Sequence, residues 1–158
     1  MPRLSLSSRL EEALGSGKKA DMTTPAMLKP QAAKMKILLV DEHRVLREGL
    51  RDFINAQPDL SVCGVAEYVP QALAEVEVAK PDVVVMDIFM HGRMNFDLIR
   101  EIKAQHPNTP VLVFSIHNEM AYSVAALQAG AQGFVGKTEP PERVLAEIRR
   151  LLPRTCIE

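Results

Sequence analysis

From Met35 onward, short runs of β-branched and aliphatic residues alternate with helix-length amphipathic stretches, and this alternation constrains the fold more than any other feature. The runs are KILLV (36–40), SVCGVA (61–66), DVVVM (82–86), VLVFS (111–115) and GFVG (133–136). Between them, Leu46, Leu50, Phe53 and Ile54 mark one helical face, and Leu98, Ile99 and Ile102 mark another. Asn118 is placed to cap a helix that closes at Gly130. A last helix opens at Pro140 and Pro141, spaces Val144, Leu145, Ile148 and Leu151 along one face, and stops before Pro153. Strands that are apolar on both faces and separated by helices imply a five-stranded parallel sheet, doubly wound, with helices on both faces. In such α/β folds chemistry gathers at the carboxyl ends of the strands.

The polar residues collect at that edge. Asp41 and Glu42 follow the first run, Asp87 follows the third, Ser115 ends the fourth and Lys137 follows the fifth. Three carboxylates in one crevice repel one another by a few kcal/mol per pair at an effective dielectric of about 20. A cation must therefore sit among them. One Mg²⁺ and the Lys137 ammonium balance the three negative charges, and Mg²⁺ favours a few carboxylates together with retained waters. The set suits phosphoryl transfer to a carboxylate, with metal and lysine neutralising the phosphoryl oxygens and Ser115 donating a hydrogen bond.

Composition excludes several alternatives. The chain has 158 residues, 47% of them hydrophobic and 25% charged, which is the profile of one globular α/β or α+β domain. A net charge of -1 supplies no basic field for phosphate backbones, so specific DNA binding by this chain alone is not expected. No apolar run approaches the roughly 18 residues that a membrane-spanning helix needs. Cys63 and Cys156 form neither a CxxC pair nor a disulfide framework, which points to a reducing, cytoplasmic setting with Cys63 as a small core residue. Residues 1–34 carry six Lys/Arg against three Asp/Glu and little apolar periodicity, and read as a flexible N-terminal extension, a tag or a transit-like leader. Residues 35–153 then form the domain and 154–158 a tail.

KILLVDEHRVLREGL, VVVMD, VLVFS and AGAQGFVGK resemble the signature segments of two-component response-regulator receiver domains of the NarL/FixJ type. The resemblance spans about residues 35–152. It implies a flavodoxin-like (CheY-like) sheet of order 2-1-3-4-5. It further implies that Asp87 accepts a phosphoryl group from a histidine kinase, and that Asp41, Glu42, Asp87 and the Phe89 carbonyl hold Mg²⁺. Ser115 and Lys137 then contact the phosphoryl group, and Phe134 is the switch aromatic. The implied role is phosphorelay signalling rather than enzyme turnover, with only self-catalysed transfer and dephosphorylation. The output is a switched interaction surface or a homodimer through the fourth helix, fifth strand and fifth helix.

The sequence departs from the receiver pattern in places. IFMHGRMN replaces the usual Met-Pro-Gly loop after Asp87, with His91 at the proline position and Asn95 near the final glycine. Glu42 is one methylene longer than the usual aspartate. The helix-turn-helix domain that follows in this subfamily is absent from these residues, so a receiver portion of a longer DNA-binding regulator is one alternative. A phosphorylation-independent pseudo-receiver is another. An aspartyl-phosphate hydrolase would need a second acid where Phe89 stands, and a flavin carrier a Ser/Thr/Gly-rich phosphate loop. His43, His91 and His117 share the same edge, yet no HxH or HxxxH spacing supports a transition-metal site there.

Overall fold

A computed structural model of the chain describes residues 33–153. Nearly all of the expected extension, the 154–158 tail and Cys156 lie outside those residues. The elements follow in the order β1 (Met35–Val40), α1 (Arg44–Asn55), β2 (Leu60–Ala66), α2 (Val69–Ala79), β3 (Val83–Met86), β4 (Phe89–Met90), β5 (Arg93–Met94), α3 (Phe96–Gln105), β6 (Val111–Ser115), α4 (Met120–Ala129), β7 (Gly133–Gly136) and α5 (Pro141–Leu151). The main sheet has five parallel strands in the order β2-β1-β3-β6-β7, which is 2-1-3-4-5 when its own strands are counted. This is the α/β, flavodoxin-like arrangement that the family resemblance implied.

Alternation along the strands sorts the core into two layers, because successive side chains point to opposite faces. Leu38, Val40, Val84, Met86, Val111 and Val113 face one layer, where they meet Val76 of α2, Leu98, Ile99 and Ile102 of α3, and Ala126 of α4. Ile37, Leu39, Val83, Val85, Leu112 and Val135 face the other, against Ile54 of α1 and Val144, Leu145 and Ile148 of α5. Burying each such aliphatic side chain contributes about 1.5 to 3 kcal/mol relative to exposure. The two layers clamp the sheet, leaving its carboxyl edge to be shaped by loops.

Local sequence signals hold at some helix ends and not at others. Gly130 closes α4 with φ +119, and a Cβ there would come within 2.8 Å of Lys103 Cγ, so glycine is required twice over. Asn118 does not cap α4. Glu119 occupies that position in extended backbone without a side-chain cap, and the helix begins at Met120. Leu46 is 42% exposed while Arg47 is buried, so the inner face of α1 includes a cation where periodicity suggested leucine. His106 ends α3, and its Nε2 lies 2.8 Å from Glu77 Oε1 on α2. The β4–β5 ribbon, paired antiparallel as Phe89 with Met94 and Met90 with Arg93, was not foreseen.

Candidate functional site

The sheet ladder continues one residue beyond three strands and thereby fixes the site. Asp41 N–H donates to Ala66 O, Asp87 N–H to Val40 O and Lys137 N–H to Ser115 O, each at 2.9 Å. Their backbones are thus held as rigidly as the strands. Lys137 Nζ donates to Asp41 Oδ2 at 2.6 Å and to Asp87 Oδ2 at 2.8 Å. All three side chains are buried: Lys137 is 3% exposed, Asp87 2% and Asp41 10%. The ammonium is also 5.8 Å from the centre of the Phe114 ring.

The remaining lone pairs of the two aspartates are partly engaged. Asp87 Oδ1 accepts from the Phe89 N–H at 3.0 Å. Asp41 Oδ1 accepts from the His43 N–H at 2.9 Å and lies 3.0 Å from His43 Nδ1. Among the described residues, Asp41, His43 and Asp87 present ligand atoms that all lie within 4.8 Å of one another. Carboxylate oxygens are the donors that Mg²⁺ takes, so the two aspartates of the set fit that ion.

Glu42 is placed differently. Its carboxylate accepts from the His91 N–H in the loop after β3, so the extra methylene carries it to that loop. His43 stands in the ligand cluster instead. Histidines at this edge were legible in the sequence, but which of them stands beside the two aspartates was not. Ser115 is fully buried at the end of β6, and its Oγ accepts from the His117 N–H at 3.1 Å. Phe134 is half-buried and packs with Tyr122 against the α2–α3–α4 layer. The His117 ring lies between Phe89, 4.7 Å between centroids, and Tyr122, 5.9 Å and edge-on. Those three rings bridge the loop after β3 to α4.

Asn95, a departure from the receiver pattern in sequence, shapes the loop after Asp87. It is buried, its N–H donates to Ile88 O at 2.7 Å, and its Nδ2 lies 3.2, 3.3 and 3.0 Å from the carbonyls of Ile88, Met90 and Arg93. A polar side chain between Met94 and Phe96 was the available signal. His91 adopts φ +54 and Gly92 φ +79, the left-handed pair that turns β4 into β5.

A five-stranded 2-1-3-4-5 sheet with two aspartates, a serine and a lysine at its carboxyl edge defines a receiver domain. The chain belongs to the response regulator receiver domain family, which matches residues 37–149. It is 36% identical over 111 residues to the uncharacterized transcriptional regulatory protein YhcZ of Bacillus subtilis, covering 70% of this chain and 52% of that protein. It is 36% identical over 103 residues to the DNA-binding transcriptional activator DevR/DosR of Mycobacterium tuberculosis, covering 65% and 48%. The crystal structure of a LuxR-family two-component response regulator from Aurantimonas sp. SI85-9A1 superposes with a TM-score of 0.71 at 30% identity, covering 75% of this chain and 85% of that one. The chain spans about half the length of the curated relatives it matches. It is therefore a signalling component of a two-component system. Among the described residues no helix is long and apolar enough to cross a membrane.

Proposed function

We propose that this receiver accepts one phosphoryl group on Asp87 from a histidine kinase and converts it into a change of binding surface. The observation that carries this reading is the buried Asp41–Lys137–Asp87 triad, in which one ammonium is shared by two carboxylates. The Asp87 carboxylate attacks phosphorus, a P–O bond forms as the donor's P–N bond breaks, and the departing imidazole takes up a proton. Lys137 already lies within hydrogen-bond reach of Asp87 and meets the phosphoryl oxygens with a full positive charge. The Phe89 N–H keeps the carboxylate oriented. Asp41, Asp87 and the Phe89 carbonyl would hold Mg²⁺, which would supply further neutralisation of those oxygens. Glu42, whose carboxylate accepts from the His91 amide, would add its charge to the metal site from beside Asp41. No acid stands two residues beyond Asp87, which supports stored phosphate rather than hydrolase turnover.

The output follows from Ser115. A hydrogen bond from its hydroxyl to a charged phosphoryl oxygen is worth about 1.5 to 3 kcal/mol. That is sufficient to draw the loop inward and shift a two-state equilibrium. Phe134, half-buried and without a hydroxyl to hold it outward, then moves into the vacated space. The face that responds is α4, β7 and α5, where Met120, Val124 and Leu127 are 79%, 43% and 52% exposed at helical spacing. This apolar stripe suits a phosphorylation-dependent partner or a second copy of the chain. The setting is cytoplasmic, and these 158 residues alone bind no DNA specifically, since their net charge is -1. The test is intact-protein mass spectrometry with a small phosphodonor and Mg²⁺. One base-labile phosphoryl group is expected on the wild type and none on Asp87→Asn, and equal labelling of both would overturn the assignment.

A further inference from the structure

The charge balance at the site leaves one buried cation unexplained. Arg47 sits on α1, its side chain 8% exposed, beside a small cavity whose lining also includes Leu50, Val85, Asp87 and Phe114. A buried guanidinium is costly unless it is paired and hydrogen-bonded. Its Nη1 donates to the backbone carbonyl of Asp41 at 2.7 Å and lies 3.7 Å from Glu67 Oε1. The Asp41 carbonyl comes just beyond the end of β1. The strand ladder takes up the Asp41 N–H, and Arg47 takes up the carbonyl. With both main-chain groups fixed, the backbone from which the Asp41 carboxylate projects is held in place.

The contacts continue from Arg47 around the β2 side of the site. Glu67, which faces the guanidinium with its carboxylate, has its own carbonyl 3.0 Å from His91 Nε2. A carbonyl only accepts, so Nε2 carries the proton. His91 in turn donates its backbone N–H to Glu42, the neighbour of Asp41. Asp41, Arg47, Glu67, His91 and Glu42 therefore form a closed ring joining the loops after β1, β2 and β3. Arg47 is its buried member, and Glu67, 52% exposed, its outer one.

We infer that Arg47 is a positioning residue for metal binding, holding the Asp41–Glu42 pair in the geometry that receives the ion by anchoring the Asp41 carbonyl to α1. The inference rests on the Mg²⁺ site proposed above. Arg47 hydrogen-bonds the Asp41 carbonyl and not the Asp87 carboxylate, so its effect falls on metal affinity rather than on the transfer step.

The experiment is a Mg²⁺ titration of the full chain, by calorimetry and by the amide shifts of Asp41 and Glu42. The variants are Arg47→Met, which fills the same space without a donor, and Arg47→Lys, which keeps one. Loss of a partner bonded directly to a metal ligand weakens metal binding about 10- to 100-fold. Arg47 holds the backbone of the ligand rather than its carboxylate, so the low end, about 10-fold, is expected for Arg47→Met, with Arg47→Lys recovering much of it. The phosphorylation rate at saturating Mg²⁺ should stay within about twofold of wild type, the scatter of a minor perturbation of about 0.4 kcal/mol. Unchanged affinity in a folded Arg47→Met would overturn the inference, as would a rate at saturating metal that falls as far as the affinity. Glu67→Gln gives a reading even if Arg47→Met does not fold. It removes an exposed charge pair and leaves the Asp41 carbonyl bonded, so about a twofold effect on affinity is expected. A Glu67→Gln loss as large as that of Arg47→Lys would count against the Asp41 contact. If wild type itself binds no Mg²⁺, the proposed function fails; if wild type and Arg47→Met bind it equally, only the role of Arg47 does.

Discussion

Lys137→Met isolates what one ammonium does for the fold. The thioether occupies similar space, but the two carboxylates that share Nζ at 2.6 and 2.8 Å lose their common partner. Ligand atoms of Asp41 and Asp87 lie within 4.8 Å of each other, and at that distance like charges repel by about 3.5 kcal/mol at an effective dielectric of about 20. Removing one side of a buried ion pair typically costs about 3 to 5 kcal/mol, in agreement with that figure. For a domain of this size the loss corresponds to a melting temperature lower by about 10 to 20 °C. The assay is thermal unfolding in chelator, repeated with millimolar Mg²⁺, for Lys137→Met, Asp87→Asn and the double variant. Mg²⁺ should return part of the loss by binding the native state alone. Asp87→Asn should return more than half of it in the Lys137→Met background, because one of the two facing charges is gone. The reasoning is refuted if Lys137→Met melts within about 2 °C of wild type in chelator, a shift of well under 1 kcal/mol, or if Asp87→Asn does not suppress it.

Asn95→Ala leaves three loop carbonyls without their shared donor and should lower stability by about 1 to 3 kcal/mol in denaturant unfolding; it should also slow labelling of Asp87. Ser115→Ala should still accept phosphate on Asp87 but lose most of the phosphate-induced change in α4, β7 and α5, read by amide exchange, and an undiminished response would show that the signal leaves by another route. Hydrogen bonds from Arg149 hold the Asp59 carboxyl below its ordinary value. That stabilisation is present above the unfolded-state pKa and disappears as pH falls through the lowered folded-state value. Arg149→Met should therefore be less stable than wild type near neutrality, by no more than about 1 kcal/mol for so exposed a pair, and the gap should close in acid.

The sheet was legible because each strand is a run of aliphatic residues bounded by turn chemistry, and because parallel order forces Asp41, Asp87, Ser115 and Lys137 to one edge. Side-chain direction within the loops was not legible. Glu42 and His43 are adjacent in sequence, yet His43 turns into the ligand cluster while Glu42 reaches the loop after β3. That choice depends on the length of the Glu42 side chain and on where the His91 amide lies in three dimensions. Arg47 escaped notice for a related reason. Helical periodicity ranks positions by apolarity, so a buried arginine bonded to a distant carbonyl reads as a surface residue. Asn95 and the β4–β5 ribbon depend on hydrogen bonds closed within eight residues, where no periodic pattern exists to be read.

The central claim is that the phosphoryl group resides on Asp87, and borodeuteride trapping addresses it most directly. Borohydride reduces an acyl phosphate to the alcohol with release of phosphate, converting a phosphorylated aspartate into deuterium-labelled homoserine that peptide mass spectrometry can locate. After treatment with phosphodonor and Mg²⁺, the label should appear in the peptide containing Asp87 and at that residue alone. Label at Asp41 or Glu42, or a phosphorylated chain with no reducible aspartate, would contradict the account.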